Sequence, residues 1–444
     1  MRHLQSLRAA WDDVSTSFWF VPTLMASGGA ALAALSPALD AWAEERAPFA
    51  YVIAREDALQ LLGTILTSMI TMTSLVFSIT MVVLTLAASQ FGPRLIRTYM
   101  ARRQTQVVLG TFAMTIVFCL LLVARVGQTE GQAASAPASI PAAIGLTLVS
   151  VMMLILHIHL LARSMLSETI IELVGKELDD GIAELGRRRD GGSDEDPAAV
   201  LPPDFAGTAR LLGPPRQGYV QAIDMAHLVA TAKDADILVG FRFRAGDYLI
   251  ADGRQIGVLP EARATEHLRK RVVRAFTLGP HRTPVQDVAF SIRHLVEIAA
   301  RALSPGVNDP YTAAAVVDRL SGSLARLMAA PMPPGVFRDA AGQVRVVCER
   351  PTHASLLSAA FDQIRQSGAD KPLVLIHLAR AVGQIAEVLR TLDQAQMLRD
   401  QLRLIADTAE ASVGNRDDRA AVAHAIASAR DGLDDAERRL PQAR

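Results

Sequence analysis

The 444-residue sequence holds only two cysteines, Cys119 and Cys348, and the first falls in a long apolar segment. That argues against a disulfide framework and against a structural zinc site. Lysine is also scarce, with Lys176, Lys233, Lys270 and Lys371 set among many arginines, as a GC-rich genome would give. The 45 basic and 45 acidic residues cancel, and no long basic run occurs. The electrostatic footprint of a nucleic-acid binder is therefore missing. No nucleophile–base pair, phosphate-binding loop or metal-ligand set is visible, so the expectation is a protein that is not an enzyme and takes no cofactor. The most informative absence is local, because no charged residue lies between Ala58 and Pro93.

That uncharged stretch is long enough to cross a bilayer core of about 30 Å as a helix. It is rich in hydroxyls. Thr64, Thr67, Thr71, Ser74, Ser78 and Thr85 recur at steps that put them on one stripe of a single helix. A helix facing only lipid has no use for such a stripe. It must meet other helices, another subunit or water, and Ser and Thr favour helix interfaces whatever the function.

Taken in order, the first apolar run begins at Phe18–Phe20 and ends near Trp42, with aromatic side chains at both ends as interfacial anchors. Ala41-Trp42-Ala43 imitates a signal-peptidase site, but Asp12 and Asp13 precede the run and its length exceeds a normal signal, so it reads as a retained helix. The second span is the hydroxyl-rich one. A third is expected from about Thr105 to Val123 and a fourth from about Ala142 to Leu161, which together give a four-helix transmembrane domain over residues 1–165. Arg2, Arg8, Arg94, Arg97, Arg102, Arg103, Arg163 and Lys176 fall on one side, against Arg46, Arg55 and Arg125 on the other. The positive-inside rule then puts both termini in the cytoplasm. An amphipathic pattern over 166–187 suggests a helical stalk, and Gly, Pro and charge over 188–216 suggest a flexible linker. A mixed α/β, mostly helical cytosolic domain is expected over 217–444, with strands near 218–224 and 237–259, helices from Glu261 onward, and a hairpin turning at Ala341-Gly342.

His157 and His159 lie at membrane depth near the end of the fourth span, where ionisable residues are functional candidates. At i,i+2 they point about 200° apart and cannot share a site on one helix. In the soluble part, the words TPVQDVAFSIRHLVEIAARALSPGVNDPYTA place Gln286 just before a helix whose Asp287, His294, Glu297 and Arg301 share a face. The chain then turns at Ser304-Pro305-Gly306, and Asn308-Asp309-Pro310 starts a second helix that runs through Thr312, with Asp309 as N-cap. The corner reads either as a capped helix–turn–helix with a Glu297–Arg301 ion pair, or as a pocket for a small anion on free N–H groups.

Those words, together with SQFGPRL, LHIHLLARS, GYVQAID and RAGDYL, resemble the bacterial membrane-protein family named for domain of unknown function 2254. The resemblance implies four N-terminal membrane helices and a cytosolic domain and implies no activity; the location expected is a bacterial inner membrane. The function expected is an oligomeric channel or pore-like transporter, whose partners are the lipid bilayer and further copies of the chain. The alternative is a membrane-anchored sensor or scaffold that binds an anionic ligand through its cytosolic domain.

Overall fold

The computed structural model describes residues 19–46, 52–91, 103–128, 133–164, 167–187, 192–193 and 195–440. Arg2, Arg8, Arg94, Arg97 and Arg102 of the charge count lie outside them. The chain divides into two compact units, residues 1–166 and 167–444.

Helices α1 (Phe20–Arg46), α2 (Arg55–Phe91), α3 (Arg103–Gln128) and α4 (Ser139–Ser164) make the first unit. All four are long and apolar enough to cross a membrane. α3 is the central helix and packs on the other three. Its Phe112, Phe118 and Leu122 are fully buried with Leu62, Met69 and Val76 of α2 and Ile140 of α4. Close approach of α1 and α3 depends on glycine, because a Cβ at Gly29 would stand 2.4 Å from the Met114 carbonyl oxygen. Small residues serve membrane helices in this way, since hydrocarbon offers no hydrophobic gain for helix association. β1 (Val52–Ala54) pairs antiparallel with β2 (Ala133–Ser135) and joins the segments before α2 and before α4.

The second unit begins with α5 (Ser167–Arg187), the expected stalk. It is a packed helix of this unit and touches α10 (Val288–Ala302) and α11 (Pro310–Ala329). Arg319 of α11 bonds Glu172 at 2.9 Å and Asp179 at 2.7 Å, and Ser323 donates to Asp179 at 2.7 Å. Gly175 lets this happen, because a Cβ there would meet Arg319 Nε at 2.2 Å. Asp287, Ser291 and His294 on the polar face of α10 are buried, and Ser291 donates to Glu177 of α5 at 3.1 Å.

Residues 188–216 are not a linker over their described part. They supply β3 (Gly192–Ser193), α6 (Pro197–Val200), α7 (Phe205–Thr208) and β4 (Arg210–Leu212). β5 (Gly218–Ile223), α8 (Met225–Ala235), β6 (Leu238–Phe241), β7 (Tyr248–Leu249), β8 (Ile256–Leu259), α9 (Glu266–Val273) and β9 (Phe276–Gly279) follow. After α11 come β10 (Val336–Arg338) and β11 (Val344–Cys348). One sheet runs β3-β10-β11-β6-β8-β4, with β3 and β4 as its edges, and the other runs β7-β5-β9. Phe205 lies across Gly240 and Gly257, so only glycine fits beneath its ring. β9 interrupts the expected helical run after Glu261. It is four residues long and acquires its strand character from β5.

α12 (His353–Ser367), α13 (Pro372–Ala386), α14 (Leu392–Ser412) and α15 (Arg416–Arg439) complete the unit. α13 is apolar but too short to span a bilayer, and its Val374, Leu375, Leu378, Val382 and Ile385 are buried among α11, α14 and α15. Thr352 and Ser355 form a capping box on α12, and Asn415 caps α15.

Candidate functional site

On α2, Ala58, Leu62, Ile65, Met69, Val76 and Leu84 are buried against the other helices. Thr64, Thr67, Thr71, Ser74, Ser78 and Thr85 are all exposed. At 3.6 residues per turn the two sets lie about 180° apart. The stripe therefore faces directly away from its own bundle. Four of its hydroxyls donate to the carbonyl one turn back: Thr64 to Gln60, Thr67 to Gly63, Thr71 to Thr67, and Thr85 to Met81, at 2.8–2.9 Å. Such back-bonding satisfies the donor and leaves oxygen lone pairs for an outside partner. Flanking the stripe, Leu75 and Val82 are 54% and 65% exposed and present plain hydrocarbon.

The two histidines diverge. His157 is buried and its Nε2 lies 3.0 Å from the Thr80 hydroxyl, which links α4 to α2 inside the bundle. His159 is exposed. A second buried polar contact, Thr115 to Ser150 at 3.0 Å, ties α3 to α4.

The end carrying β1 and β2 holds a clasp that sequence reasoning missed. Asp40 of α1 pairs with Arg125 of α3, which also donates to Ser36. Its other oxygen accepts from the N–H groups of Ala138 and Ser139 at 3.0 and 2.9 Å, at the start of α4. One carboxylate thus joins three helices and caps one of them. Arg55 donates to the carbonyls of Val126 and Gly127 at the same end. The only signal in the sequence was a lone Asp at the end of an apolar run.

The corner between α10 and α11 is a capping structure. Asp309 accepts from the Thr312 N–H at 3.1 Å and from its hydroxyl at 2.6 Å. These bonds, led by the Thr312 hydroxyl, hold its carboxyl below the usual 3.8. Asn308 takes the left-handed conformation, φ 50°, that closes the turn. Ser304 donates to the Arg301 carbonyl at 2.6 Å, and Glu297 pairs with Arg301 at 3.1 Å. An anion at this helix start would have to displace the Asp309 carboxylate. The remaining residues of the segment go elsewhere: His294 is buried in the core and Gln286 braces Ile223 of β5 at 2.9 Å. Asp287 caps α10 and bonds Arg282 at 3.0 Å, while its burial pushes the carboxyl upward. Among the described residues no group of three His, Cys, Asp or Glu could hold a metal.

GYVQAID, RAGDYL and TPVQDVAFSIRH nevertheless meet. Gly246 donates to Val220 at 2.8 Å and Val220 to Asp247 at 2.9 Å. Gly246, φ 95°, lies over the Arg282–Asp287 pair, where a Cβ would fall 2.0 Å from the carboxylate. Their junction forms one wall of a 910 Å³ cleft, whose other walls come from α5, α8 and the β10–β11 hairpin.

Four apolar helices of spanning length, followed by a mixed α/β unit, define a multi-pass membrane protein. The chain belongs to the predicted membrane protein family DUF2254, whose family model matches residues 15–384. It is similar to an uncharacterised protein of Mycobacterium tuberculosis, 31% identical over 438 residues that cover 96% of this chain and 82% of the relative. An uncharacterised protein of Mycobacterium bovis matches with the same identity and coverage. No solved structure matches the chain.

Proposed function

We propose that the protein is an oligomeric channel or pore-like transporter of the bacterial inner membrane, in which α2 helices from several copies turn their hydroxyl stripes toward a shared water path. The observation that carries this reading is the direction of the stripe, opposite to the face that α2 buries in its own bundle. A row of six hydroxyls turned outward is poorly matched to acyl chains and well matched to water or to its own copies. Both termini face the cytoplasm by the arginine asymmetry, and the unit from Ser167 onward serves there as gate or vestibule. Reporters fused at the C-terminus and inserted near Ala134 test that orientation, and a periplasmic C-terminus would overturn it.

The pore is tested by cysteines at Thr67, Thr71, Ser74 and Ser78 in a Cys119→Ser background. Water-soluble thiol reagents should label all four in the assembled protein and spare cysteines at Leu75 and Val82, because only hydrated thiols ionise. Native Cys348 stays silent, since burial pushes its thiol up to about 12. Thr71→Leu should reduce ion flux in reconstituted vesicles, as an apolar ring closes a pore by dewetting. Protection at all four stripe positions, with oligomers that cross-link through them, would replace the pore by a dry packing interface.

A further inference from the structure

The 910 Å³ cleft lies within the second unit and has the size of a small-molecule site, about 300–1,000 Å³. Its lining combines two kinds of chemistry. Leu185 of α5, Val229 of α8, Val288 of α10 and Phe337 of β10 give an apolar floor, and Val285, 59% exposed, adds an open hydrocarbon surface beside them. Lys233, Arg244 and Arg274 reach the same space from three different elements: α8, the loop after β6 and the end of α9. None of the three is in an ion pair with a described residue.

The acidic groups along the lining do not neutralise them. Asp224 accepts from the His227 N–H at 2.9 Å as the cap of α8. Asp339 holds Arg345 at 2.7 Å, Glu184 is also engaged, and Glu349 is exposed. Three cations that no described residue pairs with, over an apolar floor, complement a ligand with one anionic end and a hydrocarbon body. Inorganic phosphate would leave the floor wet, and a neutral hydrocarbon would leave the cations unused.

We infer that this cleft binds a small amphipathic organic anion, with a carboxylate or phosphate head held by Arg244 and Arg274 and an apolar body on Val229, Val285 and Phe337. This site is separate from the hydroxyl stripe of α2 and from the capped corner at Asp309, and it stands whether or not the protein conducts. It gives the soluble unit a ligand to sense.

Calorimetric titration tests it on the full chain in nanodiscs of zwitterionic lipid, with empty nanodiscs subtracted. Octanoate and octyl phosphate are the probes, and octanol and inorganic phosphate are the controls. At least one amphiphilic anion should bind, and both controls should bind at least tenfold more weakly. The preferred head then distinguishes a fatty-acid source from a phosphorylated one. Arg244→Gln and Arg274→Gln should each weaken binding about tenfold, as loss of a charge-assisted hydrogen bond does. Val229→Trp, which fills the floor without touching charge, should abolish binding while the tyrosine near-ultraviolet signal of the unit stays native. Octanol binding as tightly as octanoate would overturn the inference. So would phosphate matching octyl phosphate, affinity unchanged in both arginine variants, or no heat above empty nanodiscs.

Discussion

Removing the Asp179 carboxylate tests whether α5 is a built-in part of the second unit. Asp179 is 14% exposed, accepts from Arg319 and Ser323, and pairs with Arg326 at 2.9 Å. Arg326 is 66% exposed, so its pair adds little. Arg319 is only 16% exposed, and its remaining partners are Glu172, 71% exposed and screened by solvent, and the neutral Ser323 hydroxyl at 2.7 Å. Asp179→Ala therefore strands a largely buried guanidinium. Breaking a fully buried pair from one side costs about 3–5 kcal/mol, and partial exposure here reduces that to about 2–3 kcal/mol. At about 2–4 °C per kcal/mol, the melting temperature of the unit should fall by roughly 5–10 °C.

The assay follows tyrosine near-ultraviolet circular dichroism of the full chain in micelles. Tyr219 and Tyr248 pack edge to face at 5.0 Å in this unit, whereas Trp11, Trp19 and Trp42 all precede it and report separately by fluorescence. Arg319→Met added to Asp179→Ala removes the stranded charge and should recover part of the loss. The pH dependence has a definite sign. Burial alone would raise Asp179, and the hydrogen bonds from Arg319 and Ser323 outweigh it, so its native value lies below the usual 3.8. Its contribution is present above 3.8 and lost as pH falls through the native value. The gap between wild type and Asp179→Ala should thus persist at pH 7 and at pH 5, and close in stronger acid. A fall of less than about 1 °C, or a further loss in the double variant, would refute the docking argument.

Glu177, two residues earlier, should respond with the opposite sign. Burial raises its carboxyl above the usual 4.5, so its contribution is fully present below 4.5 and lost as pH rises through the native value; Glu177→Gln should raise the melting temperature at pH 7 and give no gain in acid. Asp309→Ala should cost the unit about 0.5–2 kcal/mol by urea unfolding, with Asp309→Asn close to wild type because Asn also caps. Phe205→Ala uncovers Gly240 and Gly257 and should cost about 3 kcal/mol in the same assay; a neutral outcome would mean that 205–212 adds nothing to the sheet.

What was legible in the sequence was whatever a single helix announces by itself. The four apolar helices declared themselves through length and composition, and the start of α11 through Asp309-Pro310, because a cap is made within three residues. The short strands β3, β4 and β9 were not legible, since a run of two to four residues shows no period and becomes a strand only when a partner aligns it. Asp40 and Arg125 are 85 residues apart, and nothing local marks either as the other's partner. The two readings of the corner, cap or anion pocket, could not be separated within the sequence for a related reason. Its N–H groups were visible, but the Asp309 side chain already accepts from the Thr312 N–H.

Residue type and residue phase carry different information on α2. Thr80 is a threonine like Thr71, and both donate to the carbonyl one turn back. Yet Thr80 falls on the buried side, where it meets His157, while Thr71 falls on the outer side with five other hydroxyls. Composition alone would have grouped them, and the helical period separates them. The period settles which side a hydroxyl is on; what meets the outer side depends on the neighbours that the assembled protein brings there. A hydroxyl already bonded along its own helix can tolerate a dry neighbour, whereas a pore needs those same oxygens to meet water. Hydration at Thr67, Thr71, Ser74 and Ser78 is therefore the one property that separates a pore from a packing seam.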